Sequence, residues 1–456
     1  MKEIIRQRLN DSPAARWTAM AIVSFTMMCG YFITDVMAPL EVLLTASPAE
    51  GGLGWTSSQY GFFSGAYGYI NVFLLMLFFG GLILDKFGIR FTGIMSTAFM
   101  LVGTCIKYYA VTHSFDGTLF GYPMQVMVAC LGFSIFGMGA EITGITVSKV
   151  IVKWFTGHEL ALAMGLQVAM ARIGTAAALA FSLPMAKHFQ SVGAPVLAGA
   201  ACLLSGLLAY LVYCVMDRKL DRSTVSESEE KEEGFRFADL KVIFTSKGFW
   251  LITLLCLMFY SGVFPFLKFA TKLMIAKYNV DPGLAGYIPA MLPFGTILLT
   301  PVFGSLYDRI GKGATLMVIG SVMLTVVHVL FALPFLNVWW FAVCVMVLLG
   351  IAFSLVPSAM WPSVPKIIPM KQLGSAYAII FYIQNIGLSM VPLFIGYVIE
   401  HYSTLRDGAD NIIGYDYTLP MCIFSVFGLI AIAIALLLKR EDGVKHYGLE
   451  ESNIKK

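Results

Sequence analysis

Long apolar runs recur along the whole chain, and they limit its fold more than any other feature. The runs are about 20 residues or longer and carry few charges, which is the length that crosses a bilayer as a helix. Within the hydrocarbon every backbone amide must be bonded inside the chain, so only helices and closed barrels can span it. A barrel is excluded because the runs are continuous and do not alternate. The sequence therefore predicts an all-α membrane protein.

Twelve membrane helices are predicted, in two bundles of six. Residues 217–247 are charged and polar without apolar periodicity, which predicts a solvated linker between the bundles. It joins an N-terminal bundle, 1–216, to a C-terminal bundle with a short tail, 248–456. The twelve predicted helices span residues 17–44, 58–84, 89–112, 122–148, 159–186, 192–216, 248–276, 283–307, 314–334, 337–365, 371–399 and 417–438.

The distribution of lysine and arginine predicts the orientation of these helices. With the N-terminus inside, 24 of the 31 basic residues fall on inner segments, as expected because basic loops remain cytoplasmic. The opposite topology would place the same residues outside. Both chain ends and the linker are therefore predicted to be cytoplasmic. The basic residues elsewhere are Lys107, Arg172, Lys187, Lys268, Lys272, Lys277 and Arg406.

Several classes of function are not indicated. The net charge of +4 is small, and no basic cluster interleaved with aromatics suggests binding of nucleic acid. The eight cysteines stand singly in apolar runs, where they behave as small apolar residues. No His-Glu-x-x-His or Gly-x-Ser-x-Gly motif is present, and Leu306 and Gly313 do not fit a phosphate-binding loop. We therefore expect no enzyme activity, catalytic residue, cofactor or metal.

A short motif recurs at corresponding places in the two halves. The sequences “GGLILDKFGIR”, 80–90, and “FGSLYDRIGKG”, 303–313, follow the second and the eighth predicted helices. Each has a glycine, an aspartate four residues later, a cation next to it and a further glycine. Such parallel repeats are typical of two-bundle transporters, and we interpret these turns as conformational latches rather than ordinary charged turns. The latch residues are Gly81, Asp85, Lys86, Gly88, Arg90, Gly304, Asp308, Arg309 and Gly311.

Two opposite charges are predicted at similar depth in the N-terminal bundle. Glu141 lies eight residues before Lys149 in the fourth helix, about 12 Å from its inner end, and Arg172 lies about 20 Å into the antiparallel fifth helix. A charge at this depth costs ~2.5–3.5 kcal/mol on insertion scales. One interpretation is a structural ion pair. The other is a binding site for a zwitterion, with Glu141 at an ammonium and Arg172 at a carboxylate.

Further polar and aromatic residues are weaker candidates for a central cavity. Asp35 is expected to line this cavity, an outer gate or the interface. Lys268 and Lys272 are expected to extend toward the outer surface, with a place beside a cavity open to the outside as the alternative for Lys268. Packing accounts equally well for the aromatic candidates, and hydrogen bonds between helices account equally well for the amides. These candidates are Asp35, Tyr67, Tyr260, Lys268, Trp361, Tyr382, Gln384 and Asn385.

The repeated motif resembles the major facilitator superfamily, and longer segments narrow the resemblance. The segments “YFITDVMAPLEVLL”, “VKWFTGHELALAMGLQVAMARIG”, “VFPFLK”, “SLYDRIGKG” and “MWPSVPKIIPMKQLGSAYAIIFYIQNIGL” together resemble the major facilitator superfamily domain-containing protein 1 family. The resemblance implies the major facilitator fold and transport of dipeptides by a uniporter. It also implies that Glu141 in “GAE” binds the peptide amine and that Arg172 in “MARIG” binds the carboxylate.

Features outside the helices suggest a bacterial relative of that family. The N-terminal tail shows no acidic dileucine sorting signal, and the only glycosylation sequon, Asn10-Asp11-Ser12, is on the predicted inner side. We therefore expect a monomer in the cell (inner) membrane without an accessory subunit. The alternative function is an amino-acid or organic-anion carrier, which could be proton-coupled.

Overall fold

The computed structural model describes residues 9–155, 158–223, 243–369, 372–408 and 411–452. In these ranges, eleven helices are long and apolar enough to cross a membrane, which confirms the predicted all-α membrane fold. Two short antiparallel hairpins lie between helices, β1 Thr118–Leu119 with β2 Tyr122–Pro123 and β3 Thr404–Arg406 with β4 Ile412–Tyr415. The α-helices, in chain order, are α1 Pro13–Asp35, α2 Glu41–Thr45, α3 Ser57–Gly65, α4 Tyr69–Phe73, α5 Met76–Thr112, α6 Met124–Phe155, α7 Leu160–His188, α8 Gly193–Ser223, α9 Lys247–Tyr278, α10 Tyr287–Ile310, α11 Gly313–Ala332, α12 Trp339–Ile367, α13 Leu373–Val398 and α14 Thr418–Lys445.

The second predicted helix, 58–84, is discontinuous. A 3₁₀ turn, Ala66–Gly68, separates α3 from α4, and Leu75 with a φ of 52° separates α4 from α5. Gly88, with a φ of 75°, then divides α5 into the end of this crossing and the third predicted helix. A left-handed residue of this kind ends a regular helix, and glycine adopts it without steric cost. The pieces from α3 to the first part of α5 thus form the second crossing, which is additional to the eleven long helices.

Four predicted boundaries are wrong, among them the end of the twelfth helix, which extends to Lys445 and not to residue 438. The first helix ends at Asp35 and not at residue 44, because the chain turns before the separate α2. The fourth extends through Phe155, since the helix continues past Lys149 with buried apolar residues beside the partly exposed Lys149 and Lys153. The sixth extends through Ser223, so the first residues assigned to the linker are helical. Residues 224–242 of the predicted linker lie outside the described residues.

A cluster of charged residues joins the linker-side ends of α6 and α8 to α5 close to its break at Gly88. Lys153 donates to Asp217 at 2.8 Å and to Asp221 at 2.7 Å, and Arg90 lies 2.8 Å from Asp221. Asp217 is fully buried and also accepts a hydrogen bond from Tyr213 at 3.2 Å. A buried carboxylate needs such partners because its desolvation is costly. We call this side of the protein, where 217–223 lie, the linker side.

The two halves pack closely on the side opposite the linker. A side chain at Gly61 of α3 would place its Cβ 2.4 Å from the Pro392 carbonyl oxygen of α13. At Gly286, just before α10, a Cβ would lie 2.0 Å from the Leu179 carbonyl oxygen of α7. Contacts this short leave room only for glycine, as is typical where membrane helices approach closely. The structure is therefore closed on this side, at two seams that each join the two halves.

Candidate functional site

Glu141 and Arg172 lie at nearly the same depth in the membrane. Because α6 ends at Phe155, Glu141 is fourteen residues from its linker-side end, about 21 Å. Arg172 is twelve residues beyond Leu160, where α7 begins on the same side, about 18 Å. The extension of α6 beyond the predicted boundary thus moves Glu141 closer to the middle of the bilayer and to the level of Arg172.

The half-buried Glu141 carboxylate is held by groups from both halves. The Tyr67 hydroxyl, in the 3₁₀ turn that interrupts the second crossing, donates to Oε1 of Glu141 at 2.8 Å. The side-chain amide of Asn385 in α13 lies within reach of the same carboxylate. Tyr67 is positioned by its own turn, since Ser134 of α6 donates to the neighbouring carbonyl of Ala66 at 2.7 Å. The carboxylate is thus oriented while part of its surface stays accessible.

Arg172 contacts aromatic rings of the other half. Its guanidinium carbon lies 5.6 Å from the ring centre of Phe264 in α9 and 5.2 Å from that of Phe353 in α12. Cation–π contacts at these distances hold a guanidinium without occupying its N–H donors. In the described residues no ion pair joins Arg172 to Glu141, although Tyr31 lies within electrostatic reach of both. The direct ion pair, one of the two interpretations of these charges, is therefore not formed in this conformation.

Two of the aromatic candidates, Tyr260 and Trp361, form a continuous wall in the C-terminal half. The indole N–H of Trp361 donates to the Tyr260 hydroxyl at 3.0 Å. The Tyr260 ring contacts Phe264 and Phe353, the two rings beside Arg172, with ring centres 5.6 and 5.7 Å away. Sequence reasoning included Tyr260 and Trp361 but missed the two phenylalanines, which no local pattern distinguishes from packing residues.

The three candidates in α13 have different surroundings. Asn385 is near Glu141, as described above, and its amide also donates to the Phe381 carbonyl oxygen at 3.0 Å. Gln384 is buried and accepts from the Cys256 thiol at 3.5 Å. The Tyr382 hydroxyl donates to the Val72 carbonyl oxygen of α4 at 3.2 Å, so it joins α13 to the second crossing. Only Asn385 of these three is brought to the charged pair.

Asp35 and Lys268 lie together in the closed side of the protein. The Lys268 ammonium lies 2.7 Å from Asp35 at the end of α1 and donates to the Thr34 carbonyl oxygen at 2.9 Å. Lys272, one turn further along α9, lies 3.6 Å from Glu41 of α2. The expectation that the two lysines extend to the outer surface is therefore wrong, because acidic groups of the other half bind them. Sequence reasoning missed Glu41, which lies near the end of the first predicted helix, 17–44, and belongs to the separate α2 in the structure.

The repeated motifs form linker-side turns with similar backbone geometry. Gly88 and Gly311, the last glycines of the two motifs, have φ angles of 75° and 68°, which favour glycine. Asp85 forms an ion pair with Lys149 of α6 at 2.8 Å. Asp308 and Arg309 occupy the end of α10, and Lys86 lies beside Asp85 in α5. A Cβ at Gly81 or Gly304 would meet no described atom within 4 Å, so neither glycine is in close contact in this conformation.

Comparison with known proteins assigns both halves to one family. The model of the Major Facilitator Superfamily matches residues 20–273 and again 266–453. The lysosomal dipeptide transporter MFSD1 of Bos taurus is 28% identical over 398 residues, which cover 85% of this chain and 80% of the relative. MFSD1 of Danio rerio is 30% identical over 345 residues, covering 73% of this chain and 71% of the relative.

Solved structures share the same fold. The nucleoside transporter NupG matches with a TM-score of 0.68 and 15% identity, covering 93% of this chain and 98% of NupG. A bacterial homologue of the human lysosomal transporter Spinster, in an inward-facing and unoccupied conformation, matches with a TM-score of 0.69 and 14% identity. That match covers 94% of this chain and 98% of the homologue. At these identities the likeness establishes the fold alone.

Proposed function

The chain belongs to the major facilitator superfamily, so it is a multi-pass membrane transporter and not an enzyme, and we propose that it carries dipeptides as a uniporter by alternating access. The observation that carries the proposal is the arrangement of Glu141 and Arg172. Two opposite charges lie at one depth of the membrane on neighbouring helices and do not bond to each other. The resemblance to the lysosomal dipeptide transporter MFSD1 supports the same substrate.

A dipeptide presents the charges that this arrangement would bind. Its ammonium would donate to the Glu141 carboxylate, and its carboxylate would accept from the N–H groups of Arg172, which the aromatic contacts leave available. The aromatic wall of Tyr260 and Trp361 would contact apolar parts of the ligand. Backbone recognition at both ends with an uncharged wall between them favours dipeptides as a class over one particular side chain.

The contacts of the charged pair also suggest how binding would couple to movement. Glu141 and Arg172 belong to the N-terminal half, whereas Asn385, Phe264 and Phe353 belong to the C-terminal half. A ligand that bonds both charges changes the contacts between the halves. Ligand binding shifts a conformational equilibrium only by such differences in affinity. No charge or proton needs to cross with a zwitterion, which is consistent with uniport.

We further propose a bacterial inner-membrane location with both chain ends and the linker in the cytoplasm. The proposal is supported by the concentration of lysine and arginine on the linker side. In that orientation the closed side would face outward. We propose that the protein acts as a monomer without an accessory subunit.

Uptake into proteoliposomes tests the proposed function. Labelled dipeptides should equilibrate across the membrane and reach the same final internal concentration with and without a pH gradient. Free amino acids and nitrate should compete poorly. Concentrative uptake driven by the pH gradient would refute uniport, and preferential uptake of a free amino acid or an organic anion would favour the alternative carrier. An Arg172→Gln variant reconstituted at equal density provides the background rate.

A further inference from the structure

Two acid–lysine pairs join the halves on the closed side, and they differ in the distance between their charged groups. Lys268 and Lys272 are four residues apart in α9 and therefore lie on one helix face. Lys268 bonds Asp35 at 2.7 Å, a normal charge-assisted hydrogen bond. Lys272 lies 3.6 Å from Glu41, beyond hydrogen-bonding distance. The second pair is therefore incomplete, although both residues are buried.

The Lys272 ammonium also has closer partners than Glu41. It donates to the Thr45 hydroxyl at 2.8 Å and lies 3.9 Å from the ring centre of Tyr415. Glu41 is completely buried, and neither of its carboxylate oxygens has a hydrogen-bond partner within the described part of the chain. A buried carboxylate without hydrogen bonds is strongly disfavoured in its charged form. A protonated carboxyl fits this environment better.

Residues of both halves surround Glu41. Tyr60 of α3 lies within electrostatic reach on the N-terminal side, and Lys272 and Tyr417 do so on the C-terminal side. The nearest other pair, Asp35 with Lys268, is already bonded. If the two halves separate on this side, Lys272 and Tyr417 move away with the C-terminal half. Glu41 then meets water, where the charged form is stable.

We propose that Glu41 is a proton-binding site on the closed side, and that its protonation stabilises the conformation in which this side is closed. The ligand is a proton taken from the aqueous phase on the closed side. It converts the carboxylate to a neutral carboxyl and returns to the same phase when the closure opens. The site therefore senses acidity on that side and does not by itself move protons across the membrane.

The direction of the effect follows from burial. Burial raises the pKa of the Glu41 carboxyl from 4.5 to about 7, against the opposing influence of Lys272. In an open conformation Glu41 would regain its ordinary pKa. The closed state then binds the proton more tightly, so acid favours closure and rising pH favours opening. With a closed-state pKa of about 7 and an open-state pKa of about 4.5, opening should increase about tenfold between pH 6 and pH 8.

Cysteine labelling in nanodiscs measures this opening without any substrate. Ala290 of α10 is buried against Ala38, Leu179 and Ala180 in the closed side, so Ala290→Cys should react with a maleimide only after opening. Glu41→Gln in the same background imitates the protonated acid. The labelling rate of Ala290→Cys, divided by that of the Glu41→Gln double variant, should rise about tenfold from pH 6 to pH 8. The division removes the pH dependence of the thiol itself.

Three controls complete the design. The protein with its eight native cysteines gives the background to be subtracted, and Glu50→Cys, at an exposed position, gives the rate of an unprotected thiol. If Glu41→Gln is unstable, Glu41→Ala provides the same comparison without a titrating group. Equal ratios at pH 6 and pH 8, or a ratio that falls, would overturn the proposal. Because no dipeptide is present, that outcome leaves the proposed transport function unaffected.

Discussion

Removing the charge of Arg172 should weaken binding while leaving the protein folded. In the described residues Arg172 makes cation–π contacts but no hydrogen bond or ion pair, so Arg172→Gln leaves no partner charge buried alone. The lost contact to the ligand carboxylate is charge-assisted, worth about 1.5–3 kcal/mol. At ~1.4 kcal/mol for each factor of ten, the dissociation constant should rise about ten- to a hundredfold.

Glu141→Gln is the matched change at the other end of the site. The amide oxygen of the new side chain can still accept from the Tyr67 hydroxyl, so the turn that carries Tyr67 should keep its contact. The ammonium of the ligand, however, loses its counter-ion. We expect the same ten- to hundredfold loss, with little change in the melting temperature.

Blocked dipeptides identify which charge each residue binds. A dipeptide with an amidated C-terminus lacks the carboxylate, so it should bind the wild type weakly and lose little more in Arg172→Gln. An N-acetylated dipeptide should behave in this way toward Glu141→Gln. Titrations with both ligands, beside melting curves of the single and double variants, give the result. The reasoning fails if both single variants unfold at lower temperature and the double variant regains both stability and transport, because that is the behaviour of a structural ion pair.

Three further predictions concern other parts of the protein. A cysteine within 224–242 should resist a membrane-impermeant thiol reagent in intact cells while Asp407→Cys reacts; labelling of the former would contradict the proposed orientation. Asp85→Asn, which removes the ion pair with Lys149, should slow transport several-fold with an unchanged dissociation constant, measured by uptake and titration; normal uptake would exclude a latch. Phe353→Leu should weaken free dipeptides several-fold more than amidated ones, and equal losses would show that the ring does not act through Arg172.

The sequence predicts the membrane helices well because hydropathy is a local property. The prediction from hydropathy fails where a helix is interrupted without a change in hydropathy. The break between α3 and α5 includes the left-handed Leu75, in a segment with neither charge nor proline to mark it. The extension of α6 past Lys149 was missed for the opposite reason, since charged residues at the membrane surface continue the helix.

The site was predictable in part, because charges within apolar helices are conspicuous. The same helical geometry that located Glu141 and Arg172 could not show their neighbours in the other half. Asp35 and Lys268 are 233 residues apart in the chain, and their contact depends on how the halves dock. Glu41 was overlooked because a carboxylate near the outer end of a predicted membrane helix, 17–44, is usually solvated, whereas the structure buries it beside Tyr60, Lys272 and Tyr417.

The contacts across the halves have a common consequence for transport. Lys268 and Lys272 of α9 bind the N-terminal half on the closed side, and Phe264 of the same helix contacts Arg172 at the centre of the membrane. Phe264 and Lys268 are four residues apart, as are Lys268 and Lys272, so one face of α9 joins the candidate site to the closure. A ligand that changes the position of Arg172 would act on the helix that carries both lysines. Opening of the closed side would then require α9 to lose its contacts with Arg172, Asp35 and Glu41 at the same time. Ligand binding at the candidate site is thereby coupled to opening of the closed side.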